Sequence, residues 1–322
     1  MAERIDLLPT GASPLDHPAL QAWSRLTAEP SRVGKVSMLK HRAKSTVYRI
    51  ESFGQKASLV LAKYCRRTVA AHERIVYEEI LPGLPIKCPR YYGFVQGDPY
   101  DWLFLEYVEG EMYSRQRQDH MVLGGRWLGL LHTLAQRIPA AARFPELAPA
   151  HYLDLLRRGH ENLSRYLQQV TLPEPDLAAI EKALSLCDSL ESHWNHVQRW
   201  CECMPRTLVH ADFKPKNIVI RSVPDGLELV AFDWEHSRWG ILAEDLAYID
   251  LAAYYAVVQH YWRDVTMQDL QFMKIVGMIL RGIAEIYWES FKFSPQWEVS
   301  TAKIERYQIR MAAVMEELKL GA

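Results

Sequence analysis

Leu208-Val209-His210-Ala211-Asp212-Phe213-Lys214-Pro215-Lys216-Asn217-Ile218-Val219-Ile220 runs on through Arg221-Ser222-Val223-Pro224-Asp225-Gly226 into Leu227-Glu228-Leu229-Val230-Ala231-Phe232-Asp233-Trp234-Glu235. The stretch reads as loop, strand, turn, strand and acidic pair. Two β-branched and apolar runs flank Pro-Asp-Gly, whose residues pre-set the backbone angles of a tight turn. A tight hairpin folds back on itself, so its two ends meet. Asp212 and Asn217 before it and Asp233 at its close are therefore expected to converge. One amide and two carboxylates suit Mg²⁺, a hard cation that takes few protein oxygens and completes its shell with water and phosphate.

Asp, then Asn five residues on, then a hairpin, then Asp is also the order of the catalytic parts of protein kinases. The HRD and DFG spellings are absent. Instead, His210-x-Asp212-x(4)-Asn217 followed by Asp233-x-Glu235 resembles the aminoglycoside phosphotransferase and choline kinase family, small-molecule kinases with a protein-kinase-like fold. The resemblance implies an α+β bilobal fold, with a small antiparallel-sheet lobe and a large, mainly helical lobe. The domains expected are an extension over 1–30, a nucleotide-binding lobe over 31–108, and a helical lobe over 109–322 that carries the catalytic loop and substrate pocket.

The family also implies roles. Asp212 takes the hydroxyl proton. Asn217 and Asp233 hold Mg²⁺, with Glu235, two residues on, touching a second metal or steadying the loop. His210 braces the loop by hydrogen bonds. ATP (or GTP) is the implied co-substrate.

Composition is consistent with this. The chain has 322 residues, 49% of them hydrophobic, enough for a large core or two lobes. A net charge of −1 offers no basic field for nucleic acid or membrane. Met1-Ala2-Glu3-Arg4-Ile5-Asp6 has no signal-peptide pattern. The most apolar region, around Leu246 to Trp262, is broken by Asp250 and His260 and is too short to span a bilayer. Five cysteines at 65, 88, 187, 201 and 203 show no paired spacing, which argues against a disulfide framework. Cys201-x-Cys203 lacks a second Cys/His pair at zinc-site spacing. A cytoplasmic monomer or homodimer is expected.

Upstream of the hairpin, residues 1–30 mix Pro9, Gly11, Pro14, Pro18 and Pro30 with one short apolar patch, Leu20 to Leu26. Lys35–Leu39, Thr46–Ile50 and Ala57–Lys63 read as strands, with Gly54 at a turn and a polar loop over Lys40–Ser45. In kinases the loop between the first two strands covers the nucleotide phosphates. This one has no glycine, so Ser45 and Thr46 are the candidate phosphate ligands, as in the Ser-rich loops of the family. By the same resemblance Lys63, at the end of the third strand, meets the α/β-phosphates. A helix predicted from about Val69 to Leu81 and stopped by Pro82 brings a glutamate to that lysine. The resemblance favours Glu73, with Glu78 and Glu79 in reserve. Leu103 to Gly110 resembles the hinge, where the Glu106 carbonyl and Val108 N–H meet adenine and Leu105 forms the wall behind.

From Asp119 the spacing turns helical. Helices are predicted from there to Ile138, over 149–170 and 176–203, and, after the hairpin, over 243–262, 266–291 and 296–319, with Thr266 and Ser294 as caps. His132 reads as a packed helix residue. The resemblance makes Asp245 an anchor of the catalytic loop. The acceptor is open: aminoglycoside-, sugar- or amino-alcohol-like. Glu244, Asp250, Glu285 and Glu289 are available to a polycation, whereas Tyr254, Tyr255, Tyr261, Trp262, Tyr287 and Trp288 equally suit an aromatic or quaternary-amine pocket or plain core. A protein Ser/Thr kinase of the same fold, a nucleotide-binding pseudokinase or scaffold, and a hydrolase using Asp212 and His210 are the competing readings.

Overall fold

The computed structural model describes residues 17–27, 32–42, 44–53, 58–294 and 300–320. Most of the 1–30 extension, Gly54 and Ala57 lie outside these. The chain divides into two compact units, each built from two stretches: Met1–Leu123 with Asp212–Ser237, and Gly124–Ala211 with Arg238–Ala322. The expected boundary after residue 108 falls within the first unit, which also takes back the hairpin.

The first unit begins with helix α1, Pro18–Trp23, followed by strands β1 (Arg32–Arg42), β2 (Ser45–Phe53) and β3 (Ser58–Cys65). Helix α2, Arg67–Ile75, runs on as one wider turn over Val76–Ile80 and ends at Leu81–Gly83, where Pro82 cannot continue the ladder. Strands β4 (Tyr91–Val95) and β5 (Asp101–Glu106) complete an antiparallel sheet in the order β1-β2-β3-β5-β4. Period-two alternation sorts β3 between two layers. Val60 and Ala62 join Ile50, Trp102 and Phe104 beneath Ala19, Leu20 and Trp23 of α1. Cys65 instead packs with Ala70 of α2 and Leu103. Lys63 pairs across the sheet with Leu103 and so shares that second face.

After β5 the chain forms β6, Glu111–Met112, which pairs with the hairpin strands β9 (Ile218–Val223) and β10 (Gly226–Ala231). Gly110 makes this junction possible. A Cβ there would lie 2.3 Å from the Ile220 carbonyl oxygen.

The second unit is mainly helical. Most of α3 (Gln118–Leu134), α4 (Pro149–Leu167), α5 (Glu174–Ser192), α6 (Trp194–Glu202), α7 (Leu251–Val258), α8 (Met267–Ser290) and α9 (Ala302–Glu317) belong to it. A small sheet of β7 (Glu146–Leu147), β11 (Arg238–Ile241) and β8 (Arg206–Val209) accompanies them. Leu131, Tyr152, Leu163, Ile180, Tyr254 and Leu280 lie in its core.

Several helix expectations are corrected. The one over 176–203 is two helices, because the chain turns at His193, whose N–H bonds back to the Ser189 and Leu190 carbonyls. The one over 243–262 is two elements, a short 3₁₀ helix, Ala243–Tyr248, and α7, parted by extended Ile249; α7 starts only after Asp250, whose carboxylate accepts the Ala253 N–H. Thr266 does cap α8, in a reciprocal box with Asp269. Ser294 does not cap α9, which follows Thr301, and 295–299 lie outside the described residues.

Candidate active site

The hairpin is in register from Ile218↔Ala231 to Val223↔Gly226, leaving Pro224-Asp225 as a two-residue turn. Its open end is closed by the Phe232 N–H donating to the Asn217 carbonyl (3.0 Å), so Asp233 emerges beside Asn217. The Asn217 Nδ2 donates to Asp212 Oδ2 at 2.7 Å and to the Asp212 carbonyl at 3.0 Å. The convergence expected from the turn is present. Asp233 has φ +67, a left-handed angle that a non-glycine residue adopts only when its surroundings hold it there.

The surroundings are electrostatic. The Lys63 ammonium lies 2.7 Å from Glu73 Oε1 and 2.7 Å from Asp233 Oδ1. One lysine thus ties β3, α2 and the end of the hairpin together, across sequence separations of 10 and 170 residues. Burial works to lower the lysine, but Glu73, Asp233 and Glu235 outweigh it and hold it well above the usual range. Burial pushes the Glu73 carboxyl up to about 7 against the pull of Lys63. Asp233 is also penalised by burial, yet Lys63 beside it, with Lys40 and Lys216, holds it far below the usual carboxylate range. Of the three glutamates considered, Glu73 is 1% exposed on the lysine's face, whereas Glu78 pairs with Arg74 and Tyr91 and Glu79 is exposed.

Glu235 is held below its usual range by a hydrogen bond with neighbouring His236, burial opposing. His210, buried in the second unit, donates its N–H to Asp245 Oδ2 at 2.7 Å, and Ala211, at φ +56, donates to Asp245 Oδ1 at 3.0 Å. His132 Nε2 stands 3.3 Å from the same carboxylate, with the Tyr254 hydroxyl 2.9 Å from its Nδ1. The loop that ends at Asp212 is thus fixed through its backbone.

The polar loop predicted over Lys40–Ser45 is not a loop. β1 extends to Arg42, which pairs with Ser45, so the connection is Ala43-Lys44, and Ala43 lies outside the described residues. Ser45, opposite Cys65, falls on the Lys63 face. Thr46, opposite Tyr64, falls on the other, with its hydroxyl 2.9 Å from His41 Nδ1. In the segment expected as a hinge, Leu105 is buried within β5 and pairs with Leu61. The Glu106 N–H donates to the Arg90 carbonyl, and its carboxylate accepts from Arg221 (2.9 Å), tying β5 to the hairpin. Val108 follows β5, half-buried.

Three lysines were not singled out by the sequence. Lys214 pairs with Asp212 Oδ1, Lys216 lies 3.5 Å from Asp212 Oδ2, and Lys40 faces the field of Asp233. Their spacing from Asp212 and position on β1 were visible, but lysine is so common on surfaces that the signal was weak.

The residues fit Mg²⁺. Asn217 commits its amide nitrogen to Asp212, which leaves its oxygen as a donor, and Asp233 stays charged. Among the described residues no three His, Cys, Asp or Glu side chains gather into a metal cluster. A pair of hard oxygens completed by phosphate and water is how this cation is usually held.

These parts define a class, the protein-kinase-like phosphotransferases, and solved structures agree on the fold. Choline kinase from Cryptosporidium parvum Iowa II matches with a TM-score of 0.59 at 13% identity, over 89% of this chain and 89% of that one. The macrolide 2'-phosphotransferase of Brachybacterium faecium matches with 0.58 at 13%, over 91% and 97%. A spectinomycin phosphotransferase solved with ADP and spectinomycin matches with 0.53 at 11%, over 86% and 94%. By sequence no curated protein matches. Residues 40–268 match the phosphotransferase enzyme family (APH), and the chain belongs to that family. Among the described residues no helix is long and apolar enough to cross a membrane.

Proposed function

We propose that this phosphotransferase moves the γ-phosphoryl group of ATP (or GTP) to a hydroxyl of a small molecule. The observation that carries the reading is the buried lysine held between Glu73 and Asp233, with Asp212 and Asn217 hydrogen-bonded beside them. Asp212 orients the acceptor hydroxyl and takes its proton, its charge tempered by Lys214 and Lys216. Lys63 neutralises α/β-phosphate charge, and Glu73 fixes its reach. The hinge backbone at Glu106 and Val108, with Leu105 behind, receives the base. Asn217 and Asp233, with Glu235 nearby, would hold Mg²⁺, which supplies charge neutralisation on the phosphates. Little covalent work falls to the protein, since such a loose transition state is served by positioning and electrostatics. The neighbour solved with ADP and spectinomycin supports a nucleotide and a small acceptor.

The acceptor reading follows from charge. Glu244 accepts from the Tyr152 hydroxyl and faces Arg281 at 3.7 Å. Glu285 pairs with Arg281 and Arg310, Glu289 pairs with Lys292 and Lys303, and Asp250 caps α7. Three of the four carboxylates available to a polycation, Glu244, Glu285 and Glu289, already face arginine or lysine, which favours neutral or singly charged alcohols over aminoglycosides. ADP release measured over a panel of sugars, amino alcohols, macrolides and aminoglycosides tests this. One neutral or monocationic alcohol is expected to turn over, and Asp212→Asn to lower that rate about 10²–10⁴-fold while nucleotide binding persists. Near-normal turnover in the variant would sink the assignment of Asp212. Bound ATP with no acceptor consumed would sink the enzyme reading.

A further inference from the structure

The β1–β2 pairing is interrupted once near the site. Met38 pairs with Tyr48, but the next partner of Val47 is Lys40, so Leu39 is an extra residue in β1. A bulge of this kind re-aims the side chains beyond it. Val36 and Met38 lie opposite Ile50 and Tyr48, both packed in the layer under α1. With strict alternation Lys40 would have followed them. Because of Leu39 it lies instead opposite Val47, which lies opposite Lys63 on the next strand. Lys40 and Lys63 therefore flank Val47 on one face of the sheet, the face that meets Asp233.

A half-buried ammonium in this position is costly. Burial lowers Lys40, Asp233 pulls it up, and Arg42, Lys216 and Lys63 add further repulsion. Lys63 spends its charge on two carboxylates at 2.7 Å. Lys40 has no hydrogen bond of that kind among the described residues. The bulge thus sets a second ammonium beside Lys63, where a further anion can engage it. The missing element is on the same hairpin. From Lys35 to Phe53 there is no glycine, so the backbone cannot close on phosphate in the way a glycine-rich loop does. Thr46, a candidate for that task, points to the opposite face.

We propose that Lys40 is a second phosphate-binding lysine, contacting the nucleotide's phosphates from β1 in place of a glycine-rich loop. The proposal rests on the nucleotide-dependent reading above. Its charge meets the phosphate chain from the side opposite Lys63, and Leu39, by setting the register, is what delivers it.

Titration calorimetry of the full chain with adenosine, ADP and the Mg²⁺ complex of a non-hydrolysable ATP analogue separates the possibilities. Lys40→Met is expected to weaken the triphosphate about 10- to 100-fold and leave adenosine unchanged. Lys40→Arg is expected to keep most of the affinity. If Lys40→Met does not fold, Lys40→Gln serves in its place. A variant that keeps the wild-type preference for triphosphate over adenosine overturns the role of Lys40 and leaves the phosphotransferase reading intact. Wild-type protein that binds neither nucleotide overturns both.

Discussion

Glu73 and Asp233 share one lysine and respond to pH in opposite senses. Glu73 binds its proton more tightly in the folded chain, at about 7 against an ordinary 4.5. Its contribution to stability is therefore fully present below about 4.5 and is lost as pH rises through about 7. Asp233 is depressed, so its contribution is present above the ordinary carboxylate range and is lost as pH falls into strong acid. Glu73→Gln removes the first dependence and not the second. Urea midpoints at about pH 5 and about pH 7.5 are expected to differ less in this variant than in the wild type. An unchanged difference would show that Glu73 does not titrate there. The family resemblance favoured Glu73 as the partner of Lys63, and helical spacing alone did not separate it from its neighbours. Glu73, Glu78 and Glu79 are within one helical stretch, and which of them meets Lys63 depends on how that helix is rotated against the sheet.

At the scale of elements, the hairpin was legible because its causes are local. Pro-Asp-Gly sets the turn, and apolar alternation sets the strands on either side. The pairing of β6 with the hairpin depends on Gly110, since β6 can reach β9 only where no Cβ meets the Ile220 carbonyl. Gly110→Ala is expected to cost about 1–3 kcal/mol in urea unfolding through forced backbone strain. A loss confined to a few tenths would mean the junction relaxes. The β1–β2 hairpin was read less well. Polar residues over Lys40–Ser45 suggested a loop, but strand pairing accepts polar residues wherever a face is open, and the backbone ladder runs to Arg42. Helix ends behaved similarly. Thr266 was read as a cap from its residue type, and the structure adds Asp269, which completes its box locally. The break at Ile249 was not, because Glu244 and Asp245 are drawn to Tyr152 and to the His210 and Ala211 amides, partners far off in sequence.

For the whole molecule, cysteine chemistry gives an independent check on the packing. Burial pushes the thiols of Cys65, Cys187 and Cys201 up to about 12. Cys88 is partly buried and raised, and Cys203 is exposed. Native protein with a thiol reagent is expected to show one fast group, Cys203, one slower group, Cys88, and three that react only on unfolding. Rapid labelling of Cys65 would place β3 and α2 less tightly than described. Cys201 and Cys203, two apart in sequence, differ in exposure, which counts against the metal pair their spacing suggested.

The sequence by itself determined the order of elements: a strand ending in Lys63, a helix carrying Glu73, a strand over Leu103–Glu106, then Asp212, Asn217, a hairpin and Asp233. It did so because turns, alternation and motif spacing act within a few residues. Only the tertiary structure decided that Lys63 bridges Glu73 and Asp233, that Glu285 and Glu289 pair with arginines and lysines of their own unit, and that one extra residue in β1 turns Lys40 toward the face of Lys63. Those outcomes depend on strand register and helix rotation, which are set by packing between segments distant in the chain, and local pattern does not encode them.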